Sequence, residues 1–205
     1  MMRRAQIVPS PFGERGRLRV RTLACICAAL YLIASSQASA FETLSFKDVL
    51  GKSHALPEKN AKASVLIFIG VDCPISNRLA PEMGRITAQY GAKGITFYFV
   101  YPDKSTKAEE ALKHCKDYSL EGVCVIDKEH ALVKAAKARV TPQVAIFLPM
   151  GELAYTGRIN NLFSDHNRPK DVPTKNELRT ALADIVAGRK VSVVSVPAIG
   201  CGIQN

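Results

Sequence analysis

The spacing of apolar residues changes near residue 70, where a continuous apolar run is followed by apolar residues at helical spacing. Residues 65–69 form an apolar run rich in β-branched side chains, which predicts a strand buried on both faces. Beyond residue 74 the apolar residues recur at helical spacing and share one face: Leu79, Met83, Ile86 and Tyr90. The pattern therefore predicts a buried strand that leads into an amphipathic helix.

The periodicity elsewhere predicts an alternating α/β order. Strands are predicted at residues 95–101, 123–126, 143–148 and 153–157, and a short amino-terminal hairpin at residues 41–56. Helices are predicted at residues 105–118 and 128–136 and in a segment that ends near Gly188. Capping-box spacing marks two helix starts, at Thr106 with Glu109 and at Thr174 with Glu177. This order predicts an α/β fold in which helices cover both faces of one mixed β-sheet.

Length and charge are those of one globular domain with an ordinary surface. The 205 residues are 47% hydrophobic and 22% charged, which is enough for one sizeable core. The net charge is +10, but residues 1–40 carry +5 of it, with six of the 28 basic and one of the 18 acidic residues. The remaining charge is spread over 165 residues. We therefore expect no nucleic-acid binding.

Residues 1–40 have the organisation of a signal peptide. Six arginines form a basic first region, residues 23–34 form an apolar core, and the small-residue sequence ASA ends at Ala40. We expect cleavage after Ala40, which removes Cys25 and Cys27 and gives a periplasmic or secreted protein in an environment that permits disulfides. An apolar core of this length is shorter than the about 20 residues of a stable membrane helix, and a retained anchor is the alternative.

The mature chain divides into a domain, residues 41–189, and a tail, residues 190–205. The tail contains alternating valines and ends in the sequence PAIGCGIQN. Because a tail this apolar is unfavourable in water, we expect it to pack on the domain and to hold Cys201 in a defined position. Gly200 and Gly202 would permit the close approach of Cys201 to another chain segment.

Cys73 is the residue whose position predicts chemistry. Pro74 suits the first position of a helix, so Cys73 is expected at the N-cap, where unpaired backbone N–H groups favour a thiolate. A cysteine in this position can have a pKa of roughly 3.5 to 7.5 in place of about 8.5. The alternative is a small core cysteine without reactivity, and the following proline and helix favour the reactive thiolate.

The motifs VDCPIS and Thr141-Pro142, followed by a strand, a turn and a strand, resemble the thioredoxin-like superfamily. Within it they resemble the redoxin branch, the alkyl hydroperoxide reductase and thiol-specific antioxidant domains. The segments CPISNRLAPEMGRI, VTPQV and GRINN are similar to one group of secreted redoxin-domain proteins, and the resemblance covers about residues 41–203. It implies a thioredoxin-like fold with a central mixed β-sheet flanked by helices, an amino-terminal hairpin and a carboxy-terminal tail.

The resemblance also implies that Pro142 is cis and that Thr141 and Pro142 lie against Cys73. In this superfamily the backbone before that proline can pair with an extended thiol substrate. The chain departs from two groups of relatives. Ser76 replaces the second cysteine of the CxxC motif, and Leu66 and Gly70 replace residues of the peroxiredoxin motif PxxxTxxC. In addition, Thr141 occupies roughly the position of the arginine that polarises the peroxide in peroxiredoxins. The peroxidase motif is therefore incomplete.

The other cysteines leave several pairings open. Cys115 and Cys124 form either a structural disulfide or two buried thiols. A mixed disulfide or sulfenic acid on Cys73 needs a nearby thiolate to resolve it, and the hydroxyl of Ser76 cannot do this. Cys201 is our candidate for this resolving thiol. The resemblance supports this role, since secreted redoxins of this group end in a similar Gly-Cys segment. A tail cysteine that pairs between molecules or remains free is the alternative.

The histidines and cysteines do not have the spacing of a metal site. Copper-delivery proteins on this fold use CxxxC with a distant histidine, and Cys73 has no cysteine at that spacing. His114 and His130 fall in predicted helices, where a solvated or capping role is expected. His54 is isolated, and His166 follows GRINN in a loop. We therefore expect neither a metal nor a cofactor.

We interpret the sequence as a periplasmic or secreted thioredoxin-like protein in thiol–disulfide exchange or antioxidant redox chemistry. The expected site consists of Cys73 as nucleophile with Ser76, Thr141, Pro142 and Cys201. The expected partners are protein or small-molecule thiols and disulfides, with membrane contact only through an uncleaved leader. The alternative is a non-catalytic binding module or a copper-handling protein that uses the same groove.

Overall fold

The computed structural model describes residues 42–164 and 168–204. The predicted signal peptide, its cleavage after Ala40, Cys25, Cys27 and His166 lie outside the described residues. In chain order the ten strands of this part are β1 Leu44–Lys47, β2 Ser53–Leu56, β3 Ala63–Phe68, β4 Ile95–Tyr101, β5 Val123–Ile126, β6 Val140–Thr141, β7 Gln143–Phe147, β8 Leu153–Gly157, β9 Ser195–Val196 and β10 Cys201–Gly202. The four helices are α1 Pro74–Gly91, α2 Ala108–Asp117, α3 Ala131–Ala136 and α4 Glu177–Val186.

Six strands form the central sheet, in the order β5-β4-β3-β7-β8-β9. Strand β3 pairs in parallel with β4 and antiparallel with β7, so the predicted mixed sheet is confirmed. All six residues of β3 are buried, as expected for a strand at the centre of a sheet covered on both faces. The amino-terminal hairpin is also confirmed, with Leu44 opposite Leu56.

The two faces of the sheet have separate cores. One face carries Val65, Ile67 and Phe99, which pack with apolar residues of α1 and α4. The other carries Leu66, Phe68 and Tyr98, which pack with α3 and the amino-terminal hairpin. Because side chains of a strand alternate between faces, successive residues of β3 enter different cores.

Both predicted capping boxes are wrong. Helix α2 has Lys107 at its N-cap, and the Lys107 N–H donates to the Glu110 carboxylate at 3.0 Å. Helix α4 begins after Asn176, and Glu177 contacts Arg158 instead of closing a capping box. The N-caps lie one residue after Thr106 and two residues after Thr174, and in α2 the capping box is formed by Lys107 and Glu110 instead.

The tail packs on the domain, as predicted. Strand β9 extends the central sheet by pairing in parallel with β8, and Val191 is buried. Strand β10 pairs antiparallel with β6, next to the amino end of α1. In the described part of the chain, no helix combines the length and the apolar character that crossing a membrane requires.

Candidate functional site

Cys73 lies at the junction of the central sheet and α1. It is the N-cap residue of α1 in extended conformation, Pro74 is the first helical residue, and the Asn77 N–H donates to the Cys73 carbonyl at 3.0 Å. The side chain of Cys73 is buried and its thiol is free. The predicted N-cap position is confirmed.

Thr141 and Pro142 lie against this cysteine. The Thr141–Pro142 peptide bond is cis, and Cys73 Sγ lies 3.0 Å from the Thr141 carbonyl oxygen, to which the protonated thiol donates. Gly70 packs beside both residues. A Cβ on Gly70 would lie 3.3 Å from the Cys73 Cβ, which is a tight contact, and 3.5 Å from Thr141 Oγ1, which is an ordinary one.

Ser76 lies one turn into α1 and is fully buried. Its hydroxyl accepts a hydrogen bond from the Gly70 N–H at 3.4 Å, and it also interacts with the Cys73 sulfur. Ser76 therefore links the loop before Cys73 to the helix after it. The serine occupies the position of the second CxxC cysteine and contributes a hydroxyl donor in its place.

Cys201 joins the site from the carboxy-terminal tail. In the β6–β10 ladder Cys201 lies opposite Thr141 and Gly202 lies opposite Val140. Gly200 is required here, because a Cβ at this position would overlap the Thr141 carbonyl group. Gly202 faces open space, so the expectation that both glycines permit the approach is wrong for Gly202.

The surroundings of Cys73 favour its thiolate. Burial raises the pKa of Cys73, but hydrogen bonds from Cys201, Ser76 and Thr141 outweigh burial and lower the pKa to about 7. A large fraction of Cys73 is therefore ionised at neutral pH. A thiolate in this state is the nucleophile of thiol–disulfide exchange.

Cys201 has the opposite shift. Burial and the adjacent Cys73 thiolate raise the pKa of Cys201 to about 11, although the Ile75 backbone N–H favours its thiolate. At neutral pH Cys201 therefore keeps its proton and can donate it in a hydrogen bond to Cys73, which is about half ionised. Removal of the negative charge from Cys73 lowers the cost of ionising Cys201.

A hydrogen-bonded chain that was not predicted from the sequence connects this loop to α2. The Asn77 amide donates to the Val71 carbonyl at 2.9 Å, and Asn77 Oδ1 lies 2.8 Å from His114 Nε2. His114 Nδ1 lies 2.9 Å from the Tyr101 hydroxyl. The sequence feature that could have indicated this chain is the polar residue Asn77, one helical turn after Cys73. Residues at i and i+4 lie on the same face of a helix.

Of the two alternatives for Cys115 and Cys124, a disulfide or two buried thiols, the structure has the disulfide. A disulfide links α2 to β5, and the Tyr101 hydroxyl lies 3.3 Å from Cys115 Sγ. Cys73 and Cys201 remain the free thiols of the described residues. The four cysteines of the described residues therefore separate into a disulfide-bonded pair and a pair of free thiols in contact.

The histidines of the described residues have hydrogen-bond partners of their own. For His114 and His130 a solvated or capping role was expected, and the solvated role is wrong because both are buried. His130 is the N-cap residue of α3, without a side-chain cap hydrogen bond, and its Nε2 donates to the Pro102 carbonyl at 2.8 Å. His114 belongs to the hydrogen-bonded chain with Asn77 and Tyr101. His54 pairs with Asp48 at 2.8 Å in the amino-terminal hairpin. In the described ranges no three His, Cys, Asp or Glu side chains form a group that could hold a metal ion.

An open cleft of about 690 Å³ adjoins the two free cysteines. One wall is the loop before Cys73, another is the loop that follows β4, and the third is the end of the tail. Asp72 and Lys104 bring opposite charges to this cleft. Asp103 and Glu110 also line it, but their carboxylates accept hydrogen bonds from nearby backbone N–H groups.

The GRINN segment supports the fold at a distance from Cys73. Asn161 Oδ1 accepts from the Thr174 and Lys175 N–H groups at 2.8 and 2.9 Å, and its amide donates to the Thr174 hydroxyl. Arg158 pairs with the buried Glu177 carboxylate at 2.5 Å. These contacts join the loop after β8 to the start of α4.

The Redoxin family model matches residues 35–167, which is more than half of the chain. No curated protein matches the sequence. The matched region contains Cys73, Ser76, Thr141 and Pro142, and it ends before the tail that carries Cys201.

Solved structures share the fold. An uncharacterized conserved protein from Geobacillus kaustophilus is 24% identical with a TM-score of 0.69, over 81% of this chain and 90% of that one. A hypothetical protein from Sinorhizobium meliloti 1021 is 22% identical with a TM-score of 0.68, over 80% and 91%. A secreted disulfide oxidoreductase from Mycobacterium tuberculosis, homologous to E. coli DsbE, is 14% identical with a TM-score of 0.51, over 71% and 95%. The shared fold is thioredoxin-like.

Proposed function

The chain belongs to the redoxin family, and from this premise we propose that it carries out thiol–disulfide exchange with Cys73 as the attacking thiolate. The observation that supports the proposal is the contact between Cys73 and Cys201. Cys73 has a pKa of about 7, and a second thiol lies within hydrogen-bonding contact of it. Exchange requires these two properties: an ionised attacking sulfur and a second thiol that can release it.

The reaction has two steps that balance in atoms and electrons. The Cys73 thiolate attacks one sulfur of a substrate disulfide, forms a mixed disulfide with it and releases the other sulfur as a thiolate. Loss of the Cys73 charge then permits ionisation of Cys201, which attacks Cys73 Sγ and releases the second substrate thiolate. The substrate disulfide gains two electrons, two protons from the protein or solvent complete its two thiols, and the protein becomes the Cys73–Cys201 disulfide. The reverse sequence transfers the disulfide to a substrate dithiol.

The remaining site residues position the two sulfurs. Ser76 stabilises the Cys73 thiolate through its hydroxyl and its backbone N–H. The Thr141 hydroxyl stabilises the same thiolate, while its backbone holds Cys201 across the ladder. Pro142 follows Thr141 directly, and the Thr141 carbonyl oxygen lies 3.0 Å from Cys73 Sγ. We assign catalytic roles to Cys73 and Cys201 and positioning roles to the other three.

Trapping of the mixed disulfide tests this proposal. The reduced mature chain is mixed with bis(2-hydroxyethyl) disulfide, quenched with acid and analysed by intact mass and non-reducing peptide mapping. The unaltered chain should give a Cys73–Cys201 linkage, the Cys201→Ser variant should accumulate a stable adduct on Cys73, and Cys73→Ser should give no rapid adduct. Recovery of Cys201 as a free thiol while Cys73 is oxidised would remove its resolving role.

We also propose that this chemistry takes place in the periplasm or outside the cell. The proposal is supported by the leader pattern of residues 1–40 and by the Cys115–Cys124 disulfide, which an oxidising compartment preserves. Amino-terminal sequencing of the exported protein should begin at Phe41. Recovery of the full-length chain in a membrane fraction would instead favour a retained anchor.

A further inference from the structure

The tail covers the backbone edge that an extended substrate would use. Besides the pairs of Cys201 with Thr141 and Gly202 with Val140, the Ile203 N–H donates to the Arg139 carbonyl at 2.9 Å. The hydrogen-bonding edge of residues 139–141 is therefore paired with the protein's own chain. An edge paired in this way cannot accept a second strand unless the tail leaves.

The tail is held at two positions where a side chain would not fit. A Cβ on Gly200 would overlap the Thr141 carbonyl group, and a Cβ on Gly157 would overlap the Val196 carbonyl oxygen. The contact at Gly157 is made by strand β9, which joins the central sheet there, and the contact at Gly200 lies directly before β10. Close approach of the backbones on both sides of residues 197–199 indicates a docked segment.

A cleft of about 690 Å³ adjoins Cys73 on the side that the tail leaves open. Its size lies within the range of small-molecule sites, about 300 to 1,000 Å³. Residues 201–204 form one wall of the cleft, so the tail both blocks the strand edge and completes the small site. Asp72 and Lys104 give this site polar groups of both signs, as expected where a small polar molecule enters.

We propose that the docked tail restricts this site to low-molecular-weight disulfides and thiols and excludes extended polypeptides. This inference rests on the proposed exchange function and names its substrate class. The reaction is that of the reduced Cys73 and Cys201 pair with a small disulfide, which yields the Cys73–Cys201 disulfide and two small thiols. A polypeptide disulfide reacts only after the tail has left residues 139–141.

Two glycine variants of the full mature chain provide the test. Gly200→Ala introduces the overlap with Thr141, whereas Gly91→Ala adds the same methyl group in open space at the end of α1, outside the cleft lining, and both retain Cys201. Single-turnover rates are measured with insulin as the polypeptide disulfide and with bis(2-hydroxyethyl) disulfide as the small one. Because release of the tail makes the edge available, Gly200→Ala should raise the insulin rate constant about tenfold or more. Gly91→Ala should leave it unchanged, and in Gly200→Ala the small-disulfide rate should not rise, because release of the tail withdraws the Cys201 hydrogen bond from Cys73.

A second variant keeps the test valid if Gly200→Ala does not fold. Ile203→Pro removes the N–H that donates to Arg139 and should also raise the insulin rate. Circular dichroism establishes that each variant is folded. An insulin rate that stays unchanged in a folded tail variant overturns the restriction by the tail. Absence of Cys73-dependent reaction with both substrates in the unaltered chain overturns the exchange function itself.

Discussion

Cys201 lies directly opposite Thr141 in an antiparallel ladder, and Thr141 precedes the cis proline. The carbonyl oxygen of Thr141 is also the acceptor nearest the Cys73 thiol, at 3.0 Å. One residue therefore connects the carboxy-terminal tail to the nucleophile. The contact brings the two free thiols of the described chain together.

Alkylation of Cys73 should follow a titration centred near pH 7. Only the thiolate reacts with iodoacetamide, and the pKa of Cys73 is lowered to about 7, so the rate should rise with pH and reach half its maximum there. Peptide mapping identifies the labelled cysteine. Cys201 should remain unlabelled in the same range because its pKa is raised to about 11. A midpoint at the free-cysteine value of about 8.5 would contradict the assignment.

Cys201→Ala should move this midpoint upward, toward the free-cysteine value of about 8.5. The variant removes the thiol whose hydrogen bond to Cys73 stabilises the thiolate. Cys201→Ser is the matched control, because its hydroxyl still donates, and its midpoint should stay nearer that of the unaltered chain. Equal midpoints for the alanine variant and the unaltered chain would show that the tail thiol does not stabilise Cys73.

Loss of the Cys115–Cys124 disulfide should destabilise the fold. The bridge closes a segment with a sequence separation of 9, for which constraint of the unfolded chain predicts roughly 2 to 3 kcal/mol. Urea unfolding of Cys115→Ser with Cys124→Ser measures this loss against the unaltered chain. Cys201→Ser is the control for cysteine replacement, and it should change the free energy of unfolding by much less.

Asn161→Ala should be more destabilising than Asn160→Ala, although both side chains are buried. Asn161 makes three hydrogen bonds to Thr174 and Lys175, whose loss costs roughly 2 to 4 kcal/mol. Asn160 accepts from the Leu162 N–H within its own loop, and its loss costs about 1 kcal/mol. Urea unfolding of the two variants gives the comparison. Equal decreases in the free energy of unfolding would mean that the Asn161 hydrogen bonds do not stabilise the packing of this loop against the start of α4.

Acid should destabilise the protein in part through His114. Burial lowers the pKa of His114, against the effect of Asp117 and Asp72, so the unfolded chain takes up the proton first. The contribution of neutral His114 is fully present above the unfolded pKa of about 6.5 and is lost as the pH falls through the lower folded pKa. Unfolding free energies at several pH values should therefore have a smaller acid slope in His114→Gln. The same slope in both proteins would contradict this account.

The sequence by itself determined those strands and helix starts that depend only on neighbouring residues along the chain. The apolar runs located β4 and β5 at their observed bounds, because strands inside a covered sheet require consecutive apolar side chains. The turn signal at residues 149–152 located β8 in the same way. The position of Cys73 at a helix N-cap was also predictable, since Pro74 specifies the first residue of the helix. The family resemblance, and not the spacing, supplied the cis proline beside this cysteine.

Only the tertiary structure decided the contacts between segments distant along the chain. The pairing of Cys201 with Thr141 depends on which strand edge is open and on the room beside Gly200, and neither is encoded in local periodicity. The burial of His114 likewise depends on Tyr101 and Asn77, which come from two other elements. The sequence therefore determined that Cys73 lies at the N-cap of the helix, because helix starts depend on neighbouring residues. The packing of the tail determined that Cys201 is the thiol beside Cys73, because strand pairing depends on the assembled sheet.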